Sequence, residues 1–230
     1  MRSLQHYIDG RWVNPSGGAA PYPVINPATE QAVAQVLMGS AAEVDAAVRA
    51  ARRAFPSFAA RTLEERCADL RRLRAVFERR LAEMAVAITT EMGAPHDLAI
   101  RSQAACGLEH IDAAIEAARQ LDWEARVGKS SNVVREPIGV CGLITPWNWP
   151  VNQIMGKLAP ALVSGCTVVL KPSEQAPLSA QLIAEFIDEI GLPAGVFNLV
   201  HGSGPVVGAA MSAHPDIDMM SFTGSTRAGI

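Results

Sequence analysis

The sequence has only four cysteines in 230 residues, Cys67, Cys106, Cys141 and Cys166, and none forms a Cys-x-x-Cys pair. A disulfide framework is therefore not expected, and we predict no metal site. Cys67 and Cys106 fall in helical patterns. Cys141 and Cys166 fall in apolar strand patterns, where burial is expected to raise the pKa of each thiol. We interpret all four as structural.

Charge and long apolar runs are also scarce. Charged residues make up 19% of the chain and the formal net charge is −3, so no basic field is present to attract nucleic acid. No apolar run approaches the roughly 18 residues of a membrane span, and the opening Met1 to His6 lacks an apolar signal region. We therefore expect a cytoplasmic protein with neither a nucleic acid nor a membrane as partner. Apolar residues make up 49%, enough for a large core.

The segment from Val133 to Glu174 contains most of the polar residues that are placed for chemistry. Its apolar run at 138–144 predicts a buried strand, and the sequence Thr-Pro-Trp-Asn-Trp-Pro follows at 145–150. Apolar spacing after this turn predicts a helix, with Asn148 as its N-cap and Pro150 in its first turn.

A second apolar strand at 166–170 follows, and the three elements together predict a parallel βαβ unit. Ligands of such sheets bind beyond the carboxyl ends of the strands, so Asn148, Lys171 and Glu174 should reach one crevice. A lysine there can donate to ribose or phosphate oxygens, and a carboxylate can accept from both ribose hydroxyls while repelling a 2′-phosphate. The residues alone leave a solvated Lys171–Glu174 pair as the alternative.

The rest of the second half repeats strand and helix, which predicts an α/β fold. Gly202, Gly204 and Gly208 approach a dinucleotide fingerprint, but their final spacing is wrong and the signal is weak. After the last strand, Ser225 is a predicted N-cap and Gly224 permits close approach of a pyrophosphate, although a plain turn has the same composition. The predicted elements are a helix at 178–190 that ends at Gly191, a strand at 195–200, a helix at 206–213 and a strand at 217–222.

The first half is predicted to be a hairpin followed by helices. Asp9-Gly10 predicts a tight turn between strands within 5–13, before a loop at 14–20 and two strands within 24–36. Arginines at 71–80 interleave with acidic residues, which favours a salt-bridged surface over a phosphate site. Three helices are predicted. The first begins at the capping box of Ser40, and the second begins at the capping box of Thr62 and runs to Glu91, before Gly93. The third begins at Pro95 and runs to about Leu121.

Three motifs and the opening of the chain resemble the aldehyde dehydrogenase superfamily, in order and approximate spacing. The motifs are Thr145-Pro-Trp-Asn-Trp-Pro150, Val168-Val-Leu-Lys-Pro-Ser-Glu174 and Phe222-Thr-Gly-Ser-Thr226. The opening matches at Tyr7-Ile-Asp-Gly-Arg-Trp12 and Asn26-Pro-Ala-Thr29. The resemblance covers essentially the whole chain.

The resemblance implies NAD as cofactor, an aldehyde as substrate and a homo-oligomer. It implies an incomplete doubly wound parallel sheet, Rossmann-like, preceded by helices and a hairpin arm. The expected parts are 1–121 as the first part of the cofactor domain, 122–137 as an oligomerisation arm and 138–230 as the NAD-binding part; an ordinary surface hairpin is the alternative for the arm. Asn148 is the expected catalytic residue, donating to the oxyanion, and the expected cofactor-binding residues are Ile144, Thr145, Pro146, Trp147, Lys171, Ser173, Glu174, Gly204, Phe222, Gly224 and Ser225.

The family's nucleophilic cysteine and its general-base glutamate have no matching motif in this chain. We therefore expect the N-terminal half of an NAD-dependent aldehyde dehydrogenase, inactive toward aldehydes by itself. Two alternatives remain open. The chain could be a noncatalytic nucleotide-binding or oligomerising module, or half of a coenzyme-A-acylating aldehyde dehydrogenase.

Overall fold

The computed structural model describes residues 2–17 and 20–230. Met1 lies outside the described residues, as do Gly18 and Ala19 of the segment predicted as a loop. Within the described part, no helix is both long and apolar enough to cross a membrane.

A six-stranded sheet forms the centre of the fold, with the strand order β11-β8-β9-β10-β2-β3. The four strands β11, β8, β9 and β10 run parallel, as predicted, and β2 pairs antiparallel with β10. The strands are β2 (His6–Ile8), β3 (Arg11–Val13), β8 (Val140–Thr145), β9 (Thr167–Pro172), β10 (Phe197–Leu199) and β11 (Met219–Phe222).

The predicted hairpin β2–β3 is confirmed, and its turn has φ of 54° at Asp9 and 72° at Gly10. Its attachment to the parallel strands was not predicted. Tyr7 pairs with Leu199, and the backbone N–H of Asp9 donates to Asn198 Oδ1 at 3.0 Å. The N-terminal hairpin therefore extends the main sheet beyond β10.

Helices cover both faces of the sheet, which confirms a doubly wound arrangement. Helix α1 (Ala41–Ala59) packs on one face, and α6 (Pro150–Ser164) and α7 (Leu178–Glu189) pack on the other. The main core lies on the side of α6 and α7, where Phe77 and Phe186 meet edge to face at 5.3 Å.

The two strands predicted within 24–36 are also confirmed, as β4 (Tyr22–Asn26) and β5 (Gln31–Val36). They pair antiparallel and belong to a separate three-stranded sheet. Its third strand, β1 (Arg2–Leu4), pairs parallel to β5 and was not predicted.

Both predicted capping boxes, at Ser40 and at Thr62, are present. The prediction of one helix from Thr62 to Glu91 is wrong, because the helix is interrupted at Arg80, whose φ and ψ are −104° and 19°. The Arg80 guanidinium binds Glu83 and Glu185 there. The result is two helices, α2 (Leu63–Arg79) and α3 (Leu81–Met92), with Gly93 ending α3 at φ 77° as predicted.

The third predicted helix is present in three parts. It consists of α4 (His96–Leu98), a π-helical stretch at Ala99–Ala104, and α5 (Cys106–Gln120). The arginine-rich face is paired with acidic residues, as predicted, through ion pairs such as Arg71–Glu64 and Arg74–Glu78. These arginines therefore offer no free phosphate site.

An exposed antiparallel hairpin follows α5. It consists of β6 (Glu124–Val127) and β7 (Ser131–Val134), which confirms the predicted hairpin. Val127 and Val134 each keep 54% of their surface exposed. Exposed valines on a two-stranded hairpin are suited to contact with another surface.

Candidate functional site

The register of the parallel strands brings three predicted site residues side by side. Ile144 at the end of β8 lies opposite Lys171 of β9 on one side and Phe222 of β11 on the other. The backbone N–H of Thr223 donates to the Ile144 carbonyl at 3.1 Å, which extends this alignment past β11. The loops after β8, β9 and β11 therefore open at one edge of the sheet, where ligands of such sheets bind.

Lys171 is buried at this edge and is held by short-range contacts. Its Nζ donates to the carbonyl of Pro172 at 2.9 Å and lies 3.4 Å from Glu174 Oε2. Burial lowers the pKa of Lys171, and the neighbouring Glu174 carboxylate opposes that shift. An ammonium group has three donors, so one remains for a ligand. The predicted juxtaposition of Lys171 and Glu174 is therefore present.

The helical turn at Gly204–Gly208 lies against the same residues. A Cβ placed on Gly208 would be 3.7 Å from Ile144 Cδ1 and 3.9 Å from Lys171 Cδ. Gly204 is exposed and has open space around it. Part of the weak glycine pattern therefore lies beside Lys171. A side chain could be accommodated at both Gly204 and Gly208, so neither position needs glycine for lack of space.

The turn after β8 contains both a buried and an exposed polar side chain. Thr145 is buried, and its Oγ1 has no hydrogen-bond partner among residues 2–17 and 20–230. Asn148 is exposed, and the prediction that it is the N-cap of α6 is wrong. The cap position is Trp149, without a side-chain hydrogen bond, and Pro150 occupies the first turn as predicted. The amide of Asn148 is therefore not used to cap the helix.

Trp147 borders a cavity of about 380 Å³ that also contains Glu91 and Gln175. Sequence analysis did not single out Glu91, because an acidic residue near a helix end is usually solvated. Burial raises the pKa of Glu91 to about 7. Hydrogen bonds from Ser179 and Leu178 lower the pKa, but burial outweighs them. The remaining lining residues are Tyr22, Pro23, Ile25, Pro27 and Met92.

After β11, the ring of Phe222 lies against the glycine of the next turn. A Cβ on Gly224 would come within 2.4 Å of Phe222 Cζ, so a larger residue there would have to displace the Phe222 ring. Ser225 is the N-cap of the short helix α8 (Thr226–Gly229), as predicted, and its Oγ accepts from the Ala228 N–H at 3.3 Å. In the loop after β9, Ser173 Oγ accepts from the Gln175 N–H at 3.3 Å.

Lys157 is a further polar residue that sequence analysis missed. It is half-buried on α6, and its Nζ donates to Ser221 Oγ of β11 at 3.1 Å. Burial lowers the pKa of this amine. A single lysine within a helix resembles a solvated residue, so only the packing of α6 beside β11 reveals this contact.

A raised pKa was predicted for Cys141 and for Cys166, and it is confirmed for Cys141 alone. Burial raises the pKa of Cys67 and raises that of Cys106 to about 11. The pKa of Cys141 is also raised, because its thiol donates to Cys166 and because it is buried. The prediction for Cys166 is wrong: its pKa is lowered to about 6 by hydrogen bonds, first from Cys141 and also from Ser164, which outweigh burial.

The chain belongs to the aldehyde dehydrogenase family, whose model matches residues 12–230. A curated relative is the 3-succinoylsemialdehyde-pyridine dehydrogenase of a Pseudomonas species, 55% identical over 226 residues that cover 98% of this chain and 47% of that protein. The chain thus spans about half the length of the curated relatives that it matches.

Solved structures agree with this assignment. The aldehyde dehydrogenase of Bartonella henselae has a TM-score of 0.96 and 45% identity, over 100% of this chain and 49% of that one. A mutant of aldehyde dehydrogenase C from Pseudomonas syringae, solved with NAD+ and octanal, has a TM-score of 0.95 and 51% identity, over 98% of this chain and 46% of that one. The α/β fold expected from the resemblance is therefore confirmed.

Proposed function

We propose that this chain provides the NAD-binding part of an enzyme that oxidises an aldehyde to a carboxylic acid. Family membership supports the class of reaction, and the relatives from Pseudomonas syringae and Bacillus cereus were each solved with NAD+. The observation that carries the proposal is the buried Lys171 held next to Glu174 at the carboxyl edge of the sheet.

In this proposal, Lys171 and Glu174 bind the adenosine ribose. The free donor of the Lys171 ammonium binds a ribose oxygen, and the Glu174 carboxylate accepts from the ribose hydroxyls. The carboxylate is partly exposed, which leaves it accessible to a ligand. A 2′-phosphate would meet a like charge, so we propose NAD and not NADP as the cofactor.

The other expected cofactor residues are proposed to belong to the same crevice. Ile144 and Phe222 are aligned with Lys171, and the unpartnered Thr145 Oγ1 is a buried polar atom that a ligand could satisfy. We propose that they line the cofactor crevice together with Pro146, Trp147, Ser173, Gly204, Gly224 and Ser225.

We propose Asn148 as the catalytic residue of this chain. NAD, when bound, would supply the hydride acceptor, and the Asn148 amide would donate to the aldehyde oxygen as negative charge develops on it. Its exposure and its absence from the helix cap leave the amide free for this role. A donor of this kind contributes roughly 3 kcal/mol to transition-state stabilisation.

We further propose that segment 122–137 is an oligomerisation arm, between a first part at 1–121 and an NAD-binding part at 138–230. The exposed valines of β6 and β7 support the arm. We also propose a homo-oligomer located in the cytoplasm, and the four free cysteines agree with a reducing compartment.

A chimera tests the proposed function. This chain would replace the matching region of the Pseudomonas dehydrogenase to which it is 55% identical, and NADH formation would be followed with the parent's own aldehyde. We expect NAD-dependent turnover. Asn148→Ala should lower kcat roughly 100-fold, and Lys171→Ala should raise the KM for NAD.

Lys129→Ala, in the turn of the exposed hairpin, is the control and should change neither constant. The melting temperature shows whether the chimera is folded. A folded chimera that forms no NADH from any aldehyde would contradict the proposal. Turnover that Asn148→Ala leaves unchanged would contradict the role of Asn148 alone.

A further inference from the structure

We propose that Lys157 forms a reversible imine with apolar aldehydes in a cavity between α6 and the sheet. The cavity has a volume of about 450 Å³ and lies beside β8 and β11. Lys157 and Ser221 both line it, whereas Asn148 and Lys171 do not. The inference goes beyond the proposed function, because imine formation requires neither NAD nor oxidation of the aldehyde.

The amine of Lys157 has a neutral partner. Its Nζ donates to Ser221 Oγ at 3.1 Å, and within the described part of the chain it forms no ion pair. Lys171 differs, because its Nζ contacts the Glu174 carboxylate at 3.4 Å. A carboxylate stabilises the charged ammonium, whereas a hydroxyl can also donate to a neutral amine. Lys157 can therefore lose its proton without breaking an ion pair.

The surroundings of Lys157 favour its neutral amine, which is the nucleophile in imine formation. Lys157 is half-buried, and burial lowers its pKa. The other titratable residues that line the cavity are Glu136, Cys141 and Cys166, and none of them contributes to this shift. The amine is therefore more nucleophilic at neutral pH than an ordinary lysine.

The lining of the cavity fits an apolar aldehyde. Its volume falls within the range of small-molecule sites, roughly 300 to 1,000 Å³. Ile138, Leu143 and Met219 line it, so an alkyl chain would contact apolar side chains there. Ile138 is 56% exposed and Met219 is 39% exposed, which leaves the cavity open to solution. An aldehyde bound in it would have its carbonyl carbon close to the Lys157 nitrogen.

The reaction balances without an oxidant or a reductant. The Lys157 nitrogen attacks the aldehyde carbon; an N–C bond forms, the carbonyl π bond breaks, and one nitrogen proton passes to the oxygen. Ser221 Oγ, 3.1 Å from the nitrogen, is placed to carry this proton. The C–O bond then breaks as C=N forms, and the hydroxide takes the second nitrogen proton. One neutral amine and one aldehyde thus give one imine and one water.

The test incubates the 230-residue protein with hexanal at neutral pH, reduces any imine with sodium borohydride and maps its peptides by mass spectrometry. The chain has three lysines, so Lys129 and Lys171 are internal controls. Lys129 is exposed in the turn of the hairpin β6–β7, and Lys171 is buried. We expect severalfold more hexyl adduct on Lys157 than on either control. Removal of the aldehyde before reduction should abolish the adduct.

Two comparisons separate the cavity from the general reactivity of lysines. Unfolding in urea before hexanal is added should make Lys157 and Lys129 react equally, because the cavity is lost. Glyoxylate, an aldehyde with a carboxylate, should show less preference for Lys157 than hexanal does, because the lining is largely apolar.

An equal or larger adduct on Lys129 in the folded protein would overturn the proposal. A preference for Lys157 that persists in urea, or that is the same with glyoxylate, would also overturn it. The test involves neither the chimera nor NADH formation, so its failure is distinguishable from a failure of the proposed function.

Discussion

Glu91 of α3 accepts a hydrogen bond from the backbone N–H of Ser179 in α7, at 3.0 Å from Oε1. The Ser179 hydroxyl and the Leu178 N–H also donate to this carboxylate. Helix α7 has Pro177 at its cap position, without a side-chain cap of its own. A carboxylate from another helix therefore satisfies the first free N–H groups of α7.

Glu91→Gln should make the stability of the protein less dependent on pH. Burial raises the folded-state pKa of Glu91 to about 7, above the ordinary value of 4.5. Its contribution is therefore complete below about pH 4.5 and is lost as the pH rises through about 7. Between these limits we expect the unfolding free energy of the wild type to fall by about 3 kcal/mol relative to that of the variant.

Urea unfolding at a series of pH values measures this difference. Two other buried groups titrate in part of the range, because burial lowers the pKa of His6 to about 4 and that of His201 to about 3. Both histidines are common to wild type and variant, so the difference between the two proteins isolates Glu91. A constant difference across the pH range would contradict the burial argument.

Glu43→Gln should destabilise the protein by about 1 to 2 kcal/mol at neutral pH. Glu43 accepts from the N–H and Oγ of Ser16 and of Ser40, at 2.7 to 2.8 Å, and thereby holds the segment after β3 against α1. Burial would raise the pKa of Glu43, but these hydrogen bonds lower it to about 2. The stabilisation is thus present above pH 4.5 and is lost as the pH falls toward 2.

Chemical unfolding at neutral and acidic pH measures this effect, and Glu65→Gln is the matched control. Glu65 occupies the same position in the capping box of α2, but among residues 2–17 and 20–230 its carboxylate accepts hydrogen bonds only from Thr62 of its own cap. We expect a smaller loss in the control. Equal losses would show that the contact with Ser16 contributes nothing.

Glu174→Ala should narrow the preference for NAD over NADP in the chimera. The carboxylate is expected to accept from the free 2′-hydroxyl and to repel a 2′-phosphate, so its removal weakens NAD binding and relieves the repulsion of NADP. The measurement is kcat/KM with each cofactor. Equal or better use of NADP by the parent chimera would show that Glu174 does not set this preference.

Val134→Lys should reduce self-association if the hairpin is an oligomerisation arm. Val134 and Val86 are each 54% exposed, but Val134 lies on β7 and Val86 on α3, so Val86→Lys is the matched control. Size exclusion should show a smaller species for Val134→Lys only. An unchanged elution of Val134→Lys would contradict the arm, and an equal shift in both variants would indicate a nonspecific charge effect.

The sequence predicts elements that depend on local chemistry. Asp9-Gly10 specifies the hairpin turn, Ser40 and Thr62 begin helices, and Gly93 and Gly191 end them with φ of 77° and 65°. These signals act through neighbouring backbone groups, so a single sequence contains the required information.

The features that sequence analysis missed depend on distant contacts. Arg80 interrupts a helix without glycine or proline, where its side chain binds Glu185 of α7. Burial of Glu91 and Lys157 depends on packing against α7 and β11. At the candidate site, the motifs correctly predicted the Lys171–Glu174 pair. They did not predict Trp149 as the cap position of α6, because that position depends on backbone geometry and not on residue type alone.

The antiparallel pairing of β2 with β10 constrains the order in which the protein can fold during synthesis. About 190 residues separate Tyr7 from its partner Leu199, and a ribosome adding ~5–20 residues per second takes roughly 10 to 40 s to make them. For most of that interval the hairpin lacks the strand that completes its hydrogen bonds. The hairpin therefore reaches its final place only after Leu199 has been made, and an interaction with a chaperone would be most useful before then.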